Sequence, residues 1–183
     1  MRFGETPLGG AYVIELDPFV DERGTFARTF CAREFAAIGF TGRIVQVNHS
    51  ISARRGTVRG MHFQVPPAAE TKIIRCVNGA VFDVMVDLRA SSPTFLKWYG
   101  FEMSAENMRM AYIPEGFAHG FQALADNAAL IYHHTEFYSP EHERGLRFDD
   151  PRLAIRWPLP VTLVSGKDMS YSMLGEDFTG IAQ

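Results

Sequence analysis

The feature that most limits what this chain can become is a close succession of short strand-like runs. They fall at residues 44–47, 58–64, 71–77, 80–88, 97–102, 109–113, 120–123 and 129–138. Turn signals separate several of them, at Asn78-Gly79, at Ser91-Ser92-Pro93 and at Pro114-Glu115-Gly116. Two further runs, 11–16 and 25–30, read as strands around an Asp21-Glu22-Arg23-Gly24 turn, and 32–38 reads as a short helix closed by Gly39. Many short strands joined by Gly- and Pro-marked turns predict an all-β sandwich or jelly roll with a few short helices. No repeat, low-complexity tract or linker interrupts residues 1–183, which read as one domain. At 46% hydrophobic residues, the chain can fill one core well and two poorly. After Pro140 the pattern becomes irregular, with Pro151, Pro158 and Pro160, so this part is expected to wrap the outside or cap the barrel mouth.

Alternation within the strands carries more. In 81–88, Phe82, Val84, Val86 and Leu88 share one face, and Asp83 and Asp87 lie on the other. In 71–77, Lys72 shares a face with Ile74 and Cys76, which is costly unless the ammonium is paired or reaches water. In 129–138 one face is Leu130, Tyr132, His134, Glu136 and Tyr138, as a ligand-lined lumen requires; an exposed outer face would look the same. Cys31 and Cys76 show no C-x-x-C spacing and are expected to be buried apolar fillers. The formal net charge of −3 gives no general attraction for nucleic acid or an anionic membrane, so any anionic ligand must be held by a few placed arginines. No run approaches the roughly 20 apolar residues of a membrane span, and 1–5 shows no apolar signal core. A cytoplasmic enzyme or binding domain is expected.

Two histidines raise the question of chemistry. His62 stands in Arg59-Gly60-Met61-His62-Phe63-Gln64, and His119 in Pro114-Glu115-Gly116-Phe117-Ala118-His119. The second has a P-x-G-x-x-H form, but a metal-binding β-barrel needs three or four ligands. Here Gln64 follows His62 and Glu70 falls in a Pro-rich stretch, so the ligand set is incomplete and no metal is expected. Without one, His62 can accept a proton if a carboxylate orients its ring. Asp83, Asp87 and Asp168 are all candidates, and spacing does not choose among them; a hydrogen-bonded core histidine is the plainer alternative.

At this point the residues resemble a family. Asp21-Glu22-Arg23-Gly24-Thr25-Phe26, Gln46-Val47-Asn48-His49-Ser50, Val58-Arg59-Gly60-Met61-His62, Thr71-Lys72, Asp83 to Arg89, Ile113 to Phe121 and Ser165-Gly166-Lys167-Asp168 follow in the order found in the dTDP-4-dehydrorhamnose 3,5-epimerases of the cupin superfamily. The resemblance implies a cupin jelly roll and a homodimer whose N-terminal strands pack on the partner. It also implies epimerisation at C3, C5 or both of a nucleotide-linked 4-keto-6-deoxyhexose, with no cofactor. It makes His62 the base, Asp168 its carboxylate, Tyr132 the acid on the opposite face and Lys72 the group near the C4 oxygen. Arg23 and Arg59 would hold the diphosphate; Phe26, Gln46, Asn48 and Tyr138 would line the nucleotide region; His119 would be a second active-site histidine. Arg28 departs from the glutamate many members carry, which bears on recognition of the nucleotide base. The competing readings are a C3- or C5-only epimerase or ketoisomerase on another nucleotide sugar such as a CDP-linked one, a non-catalytic sugar-binding cupin, and a metal-dependent cupin oxygenase.

Overall fold

Strand 80–88 has no polar face to give to water, and this fixes the layers. In the computed structural model, which describes residues 1–182, Val84, Val86 and Leu88 pack into one buried cluster with Met61, Phe63, Leu146 and Leu153. Val81 and Met85, on the other face, join Ile74, Cys76, Met103, Phe121 and Leu130 in a second. A strand buried on both faces must lie inside a sheet covered twice. It is covered once by a second sheet and once by the returning C-terminal segment.

The strands are β1 (Arg2–Glu5), β2 (Tyr12–Glu15), β3 (Phe19–Asp21), β4 (Gly24–Phe26), β5 (Gln46–Ser52), β6 (Val58–Gln64), β7 (Lys72–Asn78), β8 (Ala80–Asp87), β9 (Trp98–Ser104), β10 (Met110–Ile113), β11 (Phe117–Ala123), β12 (Ala128–His134) and β13 (Glu143–Gly145). They form a six-stranded sheet in the order β1-β2-β10-β7-β12-β5 and a five-stranded sheet in the order β13-β6-β11-β8-β9; β3 and β4 pair as a separate hairpin. Every pairing between named strands is antiparallel. This is the expected all-β sandwich of cupin type. The outer side of the six-stranded sheet is partly covered by helix α1 (Ala32–Phe35) and the 3-10 turn Ala36–Ile38, where Phe35 and Phe40 pack on Ile14, Ile73 and Tyr112.

Several expected boundaries move. The helix expected at 32–38 is split in two and is closed by Gly39 in the left-handed region (φ 80°). The strand expected at 25–30 ends at Phe26, and the one expected at 129–138 ends at His134, so Glu136 and Tyr138 lie beyond it. The run at 44–47 proves to be the start of Gln46–Ser52, and 120–123 the end of Phe117–Ala123, so His119 stands within a strand. Cys76 is buried as expected, but Cys31 is only half-buried. The segment after Pro140 wraps the five-stranded sheet as expected, adding β13 and the helix α2 (Gly166–Ser170), in which Asp168 is buried.

Candidate active site

The decisive local feature is a bulge. On β11, His119 and Phe121 are two residues apart and share a face; on β6 their partners are His62 and Arg59, three residues apart. One extra residue on β6 therefore turns Arg59 and His62 to the same side, where strict alternation would have separated them. Gly60 makes this possible. Its φ is 117°, and a Cβ there would stand 2.6 Å from Gly120 Cα and 2.7 Å from the His119 carbonyl oxygen.

Both side chains face a cavity of about 570 Å³ between the two sheets, closed at one end by 163–168. The six-stranded sheet supplies Asn48 and Ser50 from β5, Lys72 from β7, and Tyr132 and His134 from β12. The lumen-like face of 129–134 is thus an inner face. Lys72 does not reach out to water. It is buried, its Nζ 3.1 Å from Glu70 Oε1 and donating to the His62 carbonyl at 3.0 Å.

Of the three carboxylates open to His62, the fold selects Asp168. His62 Nε2 lies 2.7 Å from Asp168 Oδ1, while Gly60 N–H donates to Oδ2 at 3.2 Å. Ser165, the N-cap of α2, accepts from the Asp168 N–H at 3.0 Å and fixes the turn that carries the carboxylate. Burial alone would raise the Asp168 carboxyl; the hydrogen bond from His62, with Gly60 N–H, outweighs it and holds the group below the usual carboxylate range. An ionised carboxylate only accepts, so His62 carries a proton on Nε2, and in the neutral ring Nδ1 keeps the lone pair. Asp83 belongs to His119 instead, Oδ2 to Nε2 at 2.7 Å, and Asp87 is engaged by Arg89, Ser92 and Thr94.

Tyr132 is half-buried with its hydroxyl 3.0 Å from Ser50 Oγ, and desolvation pushes its phenol well above the ordinary value, so it remains a proton donor at neutral pH. At the mouth Tyr138 donates to Glu143 Oε2 at 2.8 Å, and Lys167 Nζ lies 2.6 Å from the same oxygen. Glu143 and Lys167 are cavity residues that sequence reasoning did not single out, and Glu70, weighed there only as a metal ligand, is another. Lys167 lay within the Ser165 to Asp168 motif and could have been found there; Glu70 and Glu143 carry no local signal.

Three predicted residues are not brought to the cavity of their own chain. Arg23 and Phe26 stand on the β3–β4 hairpin, where Arg23 pairs with Asp21 and Phe26 is 73% exposed. Arg28 pairs with Glu34 beside α1. The hairpin forms its own two-stranded sheet and is exposed along both strands. Gln46 sits one hydrogen bond behind the lining, with its Nε2 donating to Asn48 Oδ1 at 3.3 Å.

An oriented histidine, a buried ammonium and a protonated phenol around one hollow are fitted to move protons on a carbon acid, and on a cupin-type sandwich they define an isomerase of the epimerase kind. Residues 5–176 match the family model described as dTDP-4-dehydrorhamnose 3,5-epimerase. The dTDP-4-dehydrorhamnose 3,5-epimerase of Shigella flexneri is 46% identical over 171 residues, covering 93% of this chain and 94% of that one. The dTDP-4-dehydrorhamnose 3-epimerase of Streptomyces niveus is 42% identical over 177 residues, covering 96% and 85%. The crystal structure of the Bacillus anthracis dTDP-4-dehydrorhamnose 3,5-epimerase, with TDP and PPi bound, superposes with a TM-score of 0.91 at 41% identity, over 94% of this chain and 99% of that one. The chain belongs to the dTDP-4-dehydrorhamnose 3,5-epimerase family.

Proposed function

We propose that this protein inverts C3, C5 or both of a dTDP-linked 4-keto-6-deoxyhexose by proton removal and return through an enolate. The observation that carries the reading is the His62–Asp168 pair, 2.7 Å apart and open to a cavity that also holds Lys72 and Tyr132. A hydrogen beside a ketone is acidic because its loss spreads charge onto the carbonyl oxygen. His62 Nδ1 takes it, and Asp168 stabilises the imidazolium that results. Lys72, held by Glu70, meets the charge that develops on the C4 oxygen. Tyr132 returns a proton from the other face, and that opposition of base and acid is what inverts the centre.

Arg59 is the lining guanidinium suited to a diphosphate, with Asn48 and Tyr138 on the lining toward the nucleotide and Gln46 behind Asn48. The hairpin reads as a dimer element. Phe19, Val20 and Phe26 are 77%, 73% and 73% exposed, more apolar surface than a two-stranded ribbon leaves bare in water. Paired with a second copy, it would carry Arg23 and Phe26 to the partner's cavity, and Val47 and Ile51 on the outer face of β5 extend the apolar surface to be covered. A cytoplasmic location is part of this reading; separately, no helix among the described residues is long and apolar enough to cross a membrane.

The test is product analysis by NMR after incubation with the dTDP- and CDP-linked 4-keto-6-deoxyglucose. Inversion of the dTDP sugar is expected, and the inverted centres are counted from the same spectra. Inversion of the CDP sugar alone would reassign the substrate. No inversion of either, in a protein that binds dTDP, would leave a binding cupin. For the dimer, Arg23→Ala and Arg59→Ala should both weaken dTDP binding by calorimetry; loss in Arg59→Ala alone would remove the hairpin from the site.

A further inference from the structure

Along one wall of the cavity runs a line of polar side chains whose hydrogen bonds have a definite direction. The Tyr138 N–H donates to Gln46 Oε1 at 3.1 Å, Gln46 Nε2 donates to Asn48 Oδ1 at 3.3 Å, and Asn48 Nδ2 lies 3.3 Å from His134 Nε2. His134 Nδ1 lies 2.6 Å from Glu70 Oε2, and the other oxygen of Glu70 takes Lys72 Nζ at 3.1 Å. Amide orientations and ring protons follow from the two ends. A main-chain N–H can only donate, so Gln46 must turn its oxygen to Tyr138 and its nitrogen to Asn48. Asn48 must then turn its nitrogen to His134. At the far end a carboxylate can only accept, so His134 must present a proton from Nδ1. The two ends agree on one state, with the proton on Nδ1 and the lone pair on Nε2. An N–H on Nε2 would face the Asn48 amide hydrogens; flipping Asn48 would move that clash to the Gln46 amide, and flipping Gln46 as well would move it to the Tyr138 N–H.

We propose that this one-way chain fixes His134 as its Nδ1–H tautomer and makes Glu70 the positioning residue that holds Lys72 at the place where the keto oxygen must lie. The proposal deepens the functional reading and rests on it for the role of Lys72. The geometry gives Glu70 two donors on its two oxygens, neither of which can be shared without loosening the other. Lys72 is anchored on both sides, by Glu70 and by the carbonyl of His62, so its position is tied to the strand that carries the base. Burial opposes ionisation of Glu70, but the His134 hydrogen bond and the Lys72 charge overcome it and hold its carboxyl below the usual range, so it is an acceptor at neutral pH. Both amides lie on β5, toward the nucleotide, and the lysine at the sugar. The chain therefore spans the two ends of the ligand.

The experiment uses the full-length protein labelled with 15N-histidine, first without ligand. His134 is assigned by the signals lost in His134→Gln. The expected spectrum at neutral pH shows a pyrrole-like Nδ1 and a pyridine-like Nε2; an imidazolium or the Nε2–H tautomer overturns the chain. In Glu70→Gln, one end of the side chain becomes a donor, and the Nδ1–H population should fall. Turnover of the dTDP-linked sugar by that variant should drop roughly 10- to 100-fold in kcat, with KM within about threefold, because Glu70 lies away from the nucleotide. A purely structural Glu70 would lower the melting temperature without moving the tautomer or splitting kcat from KM, and that result overturns the positioning role. If the wild type turns over no nucleotide-linked 4-keto sugar, the functional reading fails by itself, and the tautomer measurement still decides the chain.

Discussion

Two histidine–aspartate pairs sit side by side on neighbouring strands of one sheet, His62 with Asp168 from helix α2 and His119 with Asp83 from strand β8. Each joins Nε2 to a carboxylate oxygen at 2.7 Å, and the two histidines are cross-strand partners. Their surroundings differ. The His62 side chain is 33% exposed, and its carboxylate is held by Gly60 N–H as well. The His119 side chain is 6% exposed, Asp83 is fully buried, and its Oδ1 has no hydrogen-bond partner among the described residues. The same bond at the same length thus serves two purposes. One pair opens its imidazole to the cavity, where the proposed reading puts the substrate. The other is almost fully buried at the cavity wall, where the ring of His119 meets that of Tyr132 edge-on, with centroids 6.2 Å apart.

Removing each histidine should separate these purposes most sharply. His62→Ala should cost roughly 10²–10⁴-fold in turnover and little stability, because its carboxylate keeps the Gly60 hydrogen bond. His119→Ala takes from Asp83 the hydrogen bond the structure gives its side chain, and should destabilise the fold by about 3 kcal/mol. Urea denaturation and turnover of the two variants check both halves; the reverse pattern would exchange the roles of the pairs.

Tyr132→Phe makes a finer division. It leaves His62 and the wall of His119 in place and removes only the hydroxyl. Solvent hydrogen should still wash into the sugar while inverted product falls much further. Equal losses, by NMR of the same reaction, would place Tyr132 with the structural pair.

The smallest effect is on acid stability. Asp168 and Glu70 are held below the carboxylate range by their partners. A lowered folded value means that the stability each contributes is present above the unfolded value, near pH 4, and is lost as pH falls through the folded one. Unfolding midpoints should therefore drop below about pH 4, and Asp168→Asn and Glu70→Gln should each make that drop shallower. An unchanged acid limb in both would mean that the pairs contribute nothing to folding.

How legible this was depended on whether the information was local. Strand Val58–Gln64 was readable to the residue, and the double burial of Phe82 to Leu88 and Val81 to Met85 was implicit in an apolar run with aspartates. The unease over Lys72 on an apolar face was sound, and Glu70 explains it. What could not be read was anything set by register or by distant chain. The bulge that puts Arg59 beside His62 violates the alternation a reader must assume. The choice of Asp168 over Asp83 and Asp87 needs a contact across 106 residues. Arg23, Phe26 and Arg28 entered through family resemblance, and no local pattern could say that they stand outside the cavity of their own chain.

The central claim is that His62 takes a proton from carbon beside the keto group and exchanges it with solvent. The direct measurement is incubation with dTDP-4-keto-6-deoxyglucose in D₂O, with deuterium located by NMR, for the wild type and for His62→Ala. The account predicts deuterium at the inverted carbon flanking C4 in the wild type and almost none in the variant. Inversion without deuterium in the wild type, or deuterium at the wild-type rate in His62→Ala, would contradict it.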